Sequence, residues 1–374
     1  HITPDSGGII PADGAAPDAS EPDASDMIPG ASGNLIWAKR AGGGRDENPM
    51  SVSTLADGSS FVTGCLTSSE ATFGAGEPNE TVLTTGNSMS HAFLARYSPD
   101  GDLVWASLVT RNDFDACGGS VLGLADGSSI LTGMFEVVST FGPGEPNETV
   151  LTGQGGSEVF VARYDPAGAL VWARRAGGAD SQFPGSLAPL PDGGFVVAGR
   201  TRGPVTFAPG EANETVLTPL SPSGNAIFIA RYNGDGGLSW ARLAADVEGA
   251  ARVAALADGS LIVTGTFRGT ALFGPGQAGE TMLEAPTGKN FSDAFVARFD
   301  EEGTLAWAKY VATSESGQEG GSSIAALNDG SFFVAGSFGQ YEVAGDPAGI
   351  SVFGPGEPGE TEVAYEGIDV FIAR

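Results

Sequence analysis

The sequence predicts an all-β chain folded as a five-bladed β-propeller. Each blade has four antiparallel strands, and an N-terminal strand completes the last blade and closes the ring. Three observations predict this. The five tryptophans, Trp37, Trp105, Trp172, Trp240 and Trp307, are the only ones in the chain and lie 68, 67, 68 and 67 residues apart. Each interval carries the same succession of strand and turn signals, and four-stranded units repeated radially are propeller blades. The two ends also complement one another. The sequence stops at Arg374, where a third strand ends, and Gly33-Asn34-Leu35-Ile36-Trp37 matches the fourth strand Gly101-Asp102-Leu103-Val104-Trp105. Joining the first and last blades this way removes the open sheet edges.

Within a unit the elements follow in order. A strand of small residues comes first (SVSTLADGS from position 51, SVLGLADGS from 120) and ends in an Asp-Gly step, a hairpin signal. Innermost strands crowd the axis, where only small side chains fit. A β-branched and aromatic strand follows (SFVTG, SILTG, GFVVAG, SLIVTG, SFFVAG), then an arm reading TFGAGEPNETVLT in the first unit. The third strand is AFLARY, VFVARY, IFIARY, AFVARF and VFIAR, and a glycine turn leads to the outer strand with its Trp. One Trp per unit in an identical setting is expected to fill the space between neighbouring blades rather than to stack on a ligand.

Composition bounds the rest. The 374 residues include 58 glycines but only 17% charged residues, which suits short strands and tight turns. Residues 1–33 are rich in Ala, Asp, Pro, Ser and Gly and bury too little apolar surface to order themselves, so they read as a flexible acidic tether. Residues 34–374 read as a single propeller domain. No apolar run reaches the ~18 residues of a membrane-spanning helix. A net charge of −28, from 46 acids and 18 bases, repels polyphosphate and anionic membranes. Nucleic acid is therefore excluded as a partner, and cationic partners are favoured. The chain opens on His1 rather than Met, so a removed leader or lipid anchor upstream is expected.

FLARYSPDGDLVWA, LADGSSFVTG and ATFGAGEPNET resemble the bacterial β-propeller repeat proteins, secreted or lipid-anchored, that are common in myxobacteria and their relatives. The likeness spans residues 34–374. It implies the fold and a secreted or cell-surface location, and it names no ligand. The long arm departs from the family's shorter repeats.

Five arginines, Arg96, Arg163, Arg231, Arg298 and Arg374, end the third strands beside the turns that hold Asp57, Asp126, Asp192, Asp258 and Asp329. A charge between blades must be paired, so five structural Arg–Asp pairs are expected. Every arm keeps a glutamate, Glu80, Glu148, Glu214, Glu280 or Glu360, and four of the five carry a second acid, Gln277 being the exception. Two roles suit these glutamates: capping loop amides, or ligating calcium with nearby carbonyls. No cofactor is required, and calcium is the candidate metal.

The repeat breaks in the connections between blades, 42–50, 110–119, 177–185, 244–251 and 312–321, and binding residues concentrate in such loops. There the candidate ligand residues are Asp46, Glu47, Asp113, Asp115, Asp180, Asp246, Glu248, Glu315 and Glu319. Cys65 and Cys117, the only cysteines, fall at the same height in adjacent blades and are expected to form a disulfide. With two histidines, His1 and His91, and no zinc, P-loop or dinucleotide motif, the usual catalytic constellations are missing.

The expected function is a non-enzymatic extracellular propeller, a monomer that binds a protein or glycan ligand. A glycan-binding lectin-like propeller is the first alternative. A five-bladed glycoside hydrolase, needing two carboxylates about 5–10 Å apart in the axial pit, is the second.

Overall fold

The computed structural model describes residues 35–86, 89–111, 115–220, 224–247, 251–285, 292–314, 319–339 and 349–374. The chain divides between Ala38 and Lys39. Of the first part only residues 35–38 are described, and they carry no strand. The second part is all-β; its described residues hold no helix, and every strand pairing is antiparallel.

Five units follow one plan. The inner strands are Glu47–Thr54, Ala116–Gly123, Gln182–Pro189, Ala251–Ala255 and Gly320–Ala326. Each pairs with a second strand, Ser60–Leu66 in the first unit, which pairs with a third, His91–Tyr97. In four units an outer strand completes the sheet: Leu103–Leu108, Leu170–Gly177, Leu238–Asp246 or Leu305–Ser314. The fifth sheet has three strands among the described residues, ending at Ile368–Ala373. The completing strand was expected at Gly33–Trp37, of which 33–34 lie outside the described residues and Leu35, Ile36 and Trp37 carry no strand assignment.

The register repeats as faithfully as the order. Arg96, Arg163, Arg231 and Arg298 stand opposite Trp105, Trp172, Trp240 and Trp307, and one step along, Ala95, Ala162, Ala230 and Ala297 stand opposite Ala106, Ala173, Ala241 and Ala308. A bulge follows each of these Arg residues and adds local twist. The Asp-Gly steps form tight loops in which Leu55 N donates to Ser59 O at 2.8 Å and Gly58 N to Leu55 O at 3.0 Å. Gly58 has a φ of 84°, left-handed territory that glycine enters without steric cost.

Consecutive inner strands lie side by side. Ser51 and Ser53 of the first unit accept from Val121 N at 3.2 Å and Gly123 N at 2.9 Å in the second. Ser186 accepts from Val253 N at 2.8 Å in the same way between the third and fourth units. The small residues are required here. A Cβ on Gly118 would lie 2.2 Å from Thr63 Oγ1, and one on Gly321 2.2 Å from Thr264 Oγ1.

The arm is itself a β-hairpin, which its sequence did not announce. Glu70–Phe73 pairs with Thr81–Thr84, and four equivalents follow. Each hairpin also pairs with chain that precedes its own unit. Ala176–Gly177 meets Thr206–Phe207, Ala245–Asp246 meets Leu272–Phe273, and Ala312–Ser314 meets Ser351–Phe353. Thr110–Arg111 serves the second arm, and Gly42–Gly43 serves the first. Four arms are thus held from the unit before, and the first by Gly42–Gly43.

A second fivefold contact fixes the arm. Phe73, Phe141, Phe207, Phe273 and Phe353 pack on Phe93, Phe160, Phe228, Phe295 and Phe371 with ring centroids 5.2, 4.9, 5.2, 4.8 and 5.2 Å apart. Burying one such ring is worth about 1.5–3 kcal/mol, so the arm belongs to the core.

Candidate functional site

The five Arg–Asp pairs sit at the turn end of the sheets. Nη2 of Arg163, Arg231 and Arg298 lies 2.6 Å from Asp126, Asp192 and Asp258 respectively. Arg374 reaches Asp329 at 2.8 Å and Arg96 reaches Asp57 at 3.6 Å. The following serine hydroxyl, then its amide and the guanidinium, hold the carboxyls of Asp57, Asp126, Asp258 and Asp329 below the usual range. At Asp192 the Gly194 amide takes the serine's place as the leading cause. The same guanidiniums donate to turn carbonyls of the next unit, Arg163 to Gly234 O at 2.7 Å and Arg231 to Glu301 O at 2.8 Å. These groups are occupied in joining units.

The tryptophans share that junction. Trp105 Nε1 donates to Pro166 O at 3.1 Å and Trp240 Nε1 to Glu301 O at 3.0 Å, both in the next unit. The Trp172 ring is buried beside Phe195, and a Cβ on Gly236 would lie 2.6 Å from it.

The arm glutamates cap their own loops. Glu80, Glu148, Glu214 and Glu360 accept from the amides of Gly76, Gly144, Gly210 and Gly356 at 2.6 Å, and Glu280 from Gly276 at 2.8 Å. The second acid receives the outer strand: Leu103 N donates to Glu77 and Leu170 N to Glu145, both at 2.6 Å. At Gln277 the amide oxygen accepts from Leu305 N at 2.5 Å, so this position needs an acceptor rather than a charge. Asn79 and Asn147 clasp the same leucines, donating to Leu103 O and Leu170 O at 3.0 Å. Among the described residues no three His, Cys, Asp or Glu side chains gather as a metal-binding group.

The connections are shorter than their composition suggests, because strands run into them. Glu47 opens an inner strand and Asp246 ends an outer one. Asp46 and Asp180 are exposed. Asp115 accepts from Ser90 N at 2.8 Å and so ties the first unit to the second. Glu319 is buried and accepts from Ser351 Oγ at 2.9 Å, which removes it from the exposed acidic face on which it was expected. Asp113, Glu248 and Glu315 lie outside the described residues. His91 opens a third strand and is buried, rather than sitting in an arm.

Three features at this end have no counterpart in every unit. Cys65 and Cys117 form a disulfide from the second strand of one unit to the inner strand of the next. Glu158, fully buried, pairs with Arg175 at 2.7 Å. Phe183 lies between Arg200 and Arg202, whose guanidiniums stand 4.8 and 5.4 Å from the ring centroid. Composition concealed these last two, because each draws its members from two paired strands and no local motif marks them.

A further concavity of about 750 Å³ opens beside the last strand, lined by Trp307, Phe332, Phe353, Phe371 and Glu357 among others. Val370 and Ile372, on that strand, are exposed.

No protein-family model matches the sequence, and no curated protein matches it.

Proposed function

We propose that this chain is a non-enzymatic extracellular binding propeller of the bacterial repeat type. It has five blades, a ring closed by residues 33–37, and a ligand surface at the connections between blades. One observation carries the reading. The groups that repeat in register, Arg with Asp, Phe with Phe and Ala with Ala, are spent on holding the strands and arm of each unit together, whereas unrepeated chemistry collects at the connection end. Binding surfaces are built where a rigid scaffold lets sequence vary. The disulfide suits an oxidising compartment outside the cytosol. The chain works as a monomer without a required cofactor, and its charge of −28 favours a cationic protein surface as ligand.

The glycan reading keeps one specific support. Phe183, with the Arg200 and Arg202 guanidiniums against it, offers a ring and donors at the connection end. The test is titration calorimetry of the chain against a panel of basic proteins and of neutral and acidic oligosaccharides. It is repeated with Asp46→Asn/Asp180→Asn and with Arg200→Ser/Arg202→Ser. Binding of a basic protein that weakens at least tenfold in the Asp variant supports the leading reading. Binding of an oligosaccharide that is lost only in the Arg variant supports the lectin reading. Affinity that neither variant alters removes the connection end as the site.

A further inference from the structure

A serine on the inner strand recurs in four of the five units, and the fourth unit replaces it. Ser51 stands opposite Thr63, and Ser120, Ser186 and Ser323 stand opposite the equivalent residues Thr132, Ala198 and Ala335. The residue opposite Thr264 in the fourth unit is Arg252. The serine's use is visible at two junctions. Ser51 accepts from Val121 N at 3.2 Å, and Ser186 accepts from Val253 N at 2.8 Å. Each supplies an oxygen to an amide on the inner strand of the next unit.

The amide that belongs opposite Arg252 is in place. The fourth and fifth units meet as the first and second do. A Cβ on Gly118 would lie 2.2 Å from Thr63 Oγ1 and 3.2 Å from Gly64 N. A Cβ on Gly321 would lie 2.2 Å from Thr264 Oγ1 and 3.2 Å from Gly265 N. Val121 follows Gly118 at the same interval as Ile324 follows Gly321, and their cross-strand partners, Leu131 and Val334, are equivalent. Ile324 N is therefore presented to the Arg252 position as Val121 N is presented to Ser51. A hydroxyl can accept from such an amide, but a guanidinium has five N–H donors and no acceptor. One Arg252 donor, on Nη1, goes to Ala251 O at 3.1 Å. Donors thus converge at this junction where the repeat elsewhere sets an acceptor.

We propose that Arg252 and Ile324 N form a binding site for a carboxylate between the fourth and fifth inner strands. One carboxylate oxygen takes the Ile324 amide in place of the serine hydroxyl, and the other takes the guanidinium, whose planar fork suits a carboxylate. Arg252 is half-buried, so its charge is partly shielded and still open to solvent. One guanidinium balances one negative charge, and a chain of net charge −28 penalises a dianion such as sulfate. The site needs only the junction of these two units, so it stands or falls apart from the closed ring and from the surface at the connections.

The test uses the full chain with isotope-labelled isoleucine, the Ile324 amide resonance being assigned through Ile324→Val. Sodium acetate and sodium glucuronate are titrated against sodium chloride at constant ionic strength. Either carboxylate is expected to move the Ile324 resonance to saturation. Arg252→Ser installs the residue of the other four units. It is expected to weaken binding about tenfold or more, with Cys65–Cys117 and the melting temperature in chloride retained. Arg252→Gln removes the charge at similar length and reads the same loss should the serine variant fold poorly. Saturable movement that is lost in these variants supports the site. Equal movement in the wild type and the variants would overturn it, as would a resonance that neither carboxylate moves. Sulfate binding as tightly as acetate would overturn the assignment to a carboxylate.

Discussion

At the residue scale, the same few side chains recur because each satisfies a group that the sheet geometry leaves open. The Arg of the third strand is the clearest case. The Arg163 guanidinium spans Asp126 and Ser128 of its own turn and Gly234 O of the next unit, so its removal leaves three acceptors to water or to nothing. Arg163→Ala is expected to lower stability by about 1–3 kcal/mol in denaturant titration, whereas Arg252→Ala, whose Nη1 meets the adjacent Ala251 carbonyl, is expected to fall within about 0.5 kcal/mol. The aspartates give this a pH signature. Their folded-state pKa values lie below the unfolded one, so their contribution is complete above the unfolded carboxylate value and is lost as pH falls through the folded value. Stability should therefore decline below about pH 4, and Asp126→Asn should flatten that decline. The buried Trp172 sets a larger scale. Trp172→Ala is expected to cost about 3–5 kcal/mol, and an unchanged melting point would return the ring to the candidate sites. In the arms, each repeated glutamate already holds an amide, so millimolar calcium should leave the melting temperature unmoved. A rise reversed by chelator would restore Glu80, Glu148, Glu214, Glu280 and Glu360 as ligands.

At the element scale, the strands that alternate apolar and small residues were legible and the arm was not. Four strands per unit followed from periodicity and Asp-Gly turns, and the Arg–Asp contact followed from antiparallel order alone. The arm's strands are three to five residues long, their Thr-Val-Leu-Thr alternation is brief, and their partner lies in the preceding unit, so no local window contains the pairing. The connections were misjudged for a different physical reason. Gly, Pro and Ser signal turns in an average sequence, yet here they extend inner strands, because a neighbouring backbone leaves room for nothing larger. Gly118 against Thr63 is one such site, and Pro49, at a register shift in the first inner strand, is another exception to the usual rule. The disulfide acts between elements, closing a separation of 52 residues between two units. By loop-closure entropy its loss should cost about 4 kcal/mol. Cys65→Ser/Cys117→Ser should therefore show a clearly lowered melting temperature while keeping its far-ultraviolet spectrum.

At the scale of the whole molecule, consecutive units are joined in both directions. Inner-strand serines, third-strand arginines and outer-strand tryptophans reach forward, and each arm is carried from behind. The last sheet has three strands among the described residues, with the groove beside it. Lys39 and Gly42–Gly43 serve the first arm as an outer strand would. The proposed ligand surface rests on the same division, because groups committed to neighbours cannot also be free to bind. Amide hydrogen exchange on the full chain tests the closed ring most directly. The account predicts that peptides covering residues 35–39 and 368–373 are protected to the same degree as those covering the outer strand Leu170–Gly177. Exchange in both peptides at the rate of an unstructured chain, with Leu170–Gly177 protected, would contradict it.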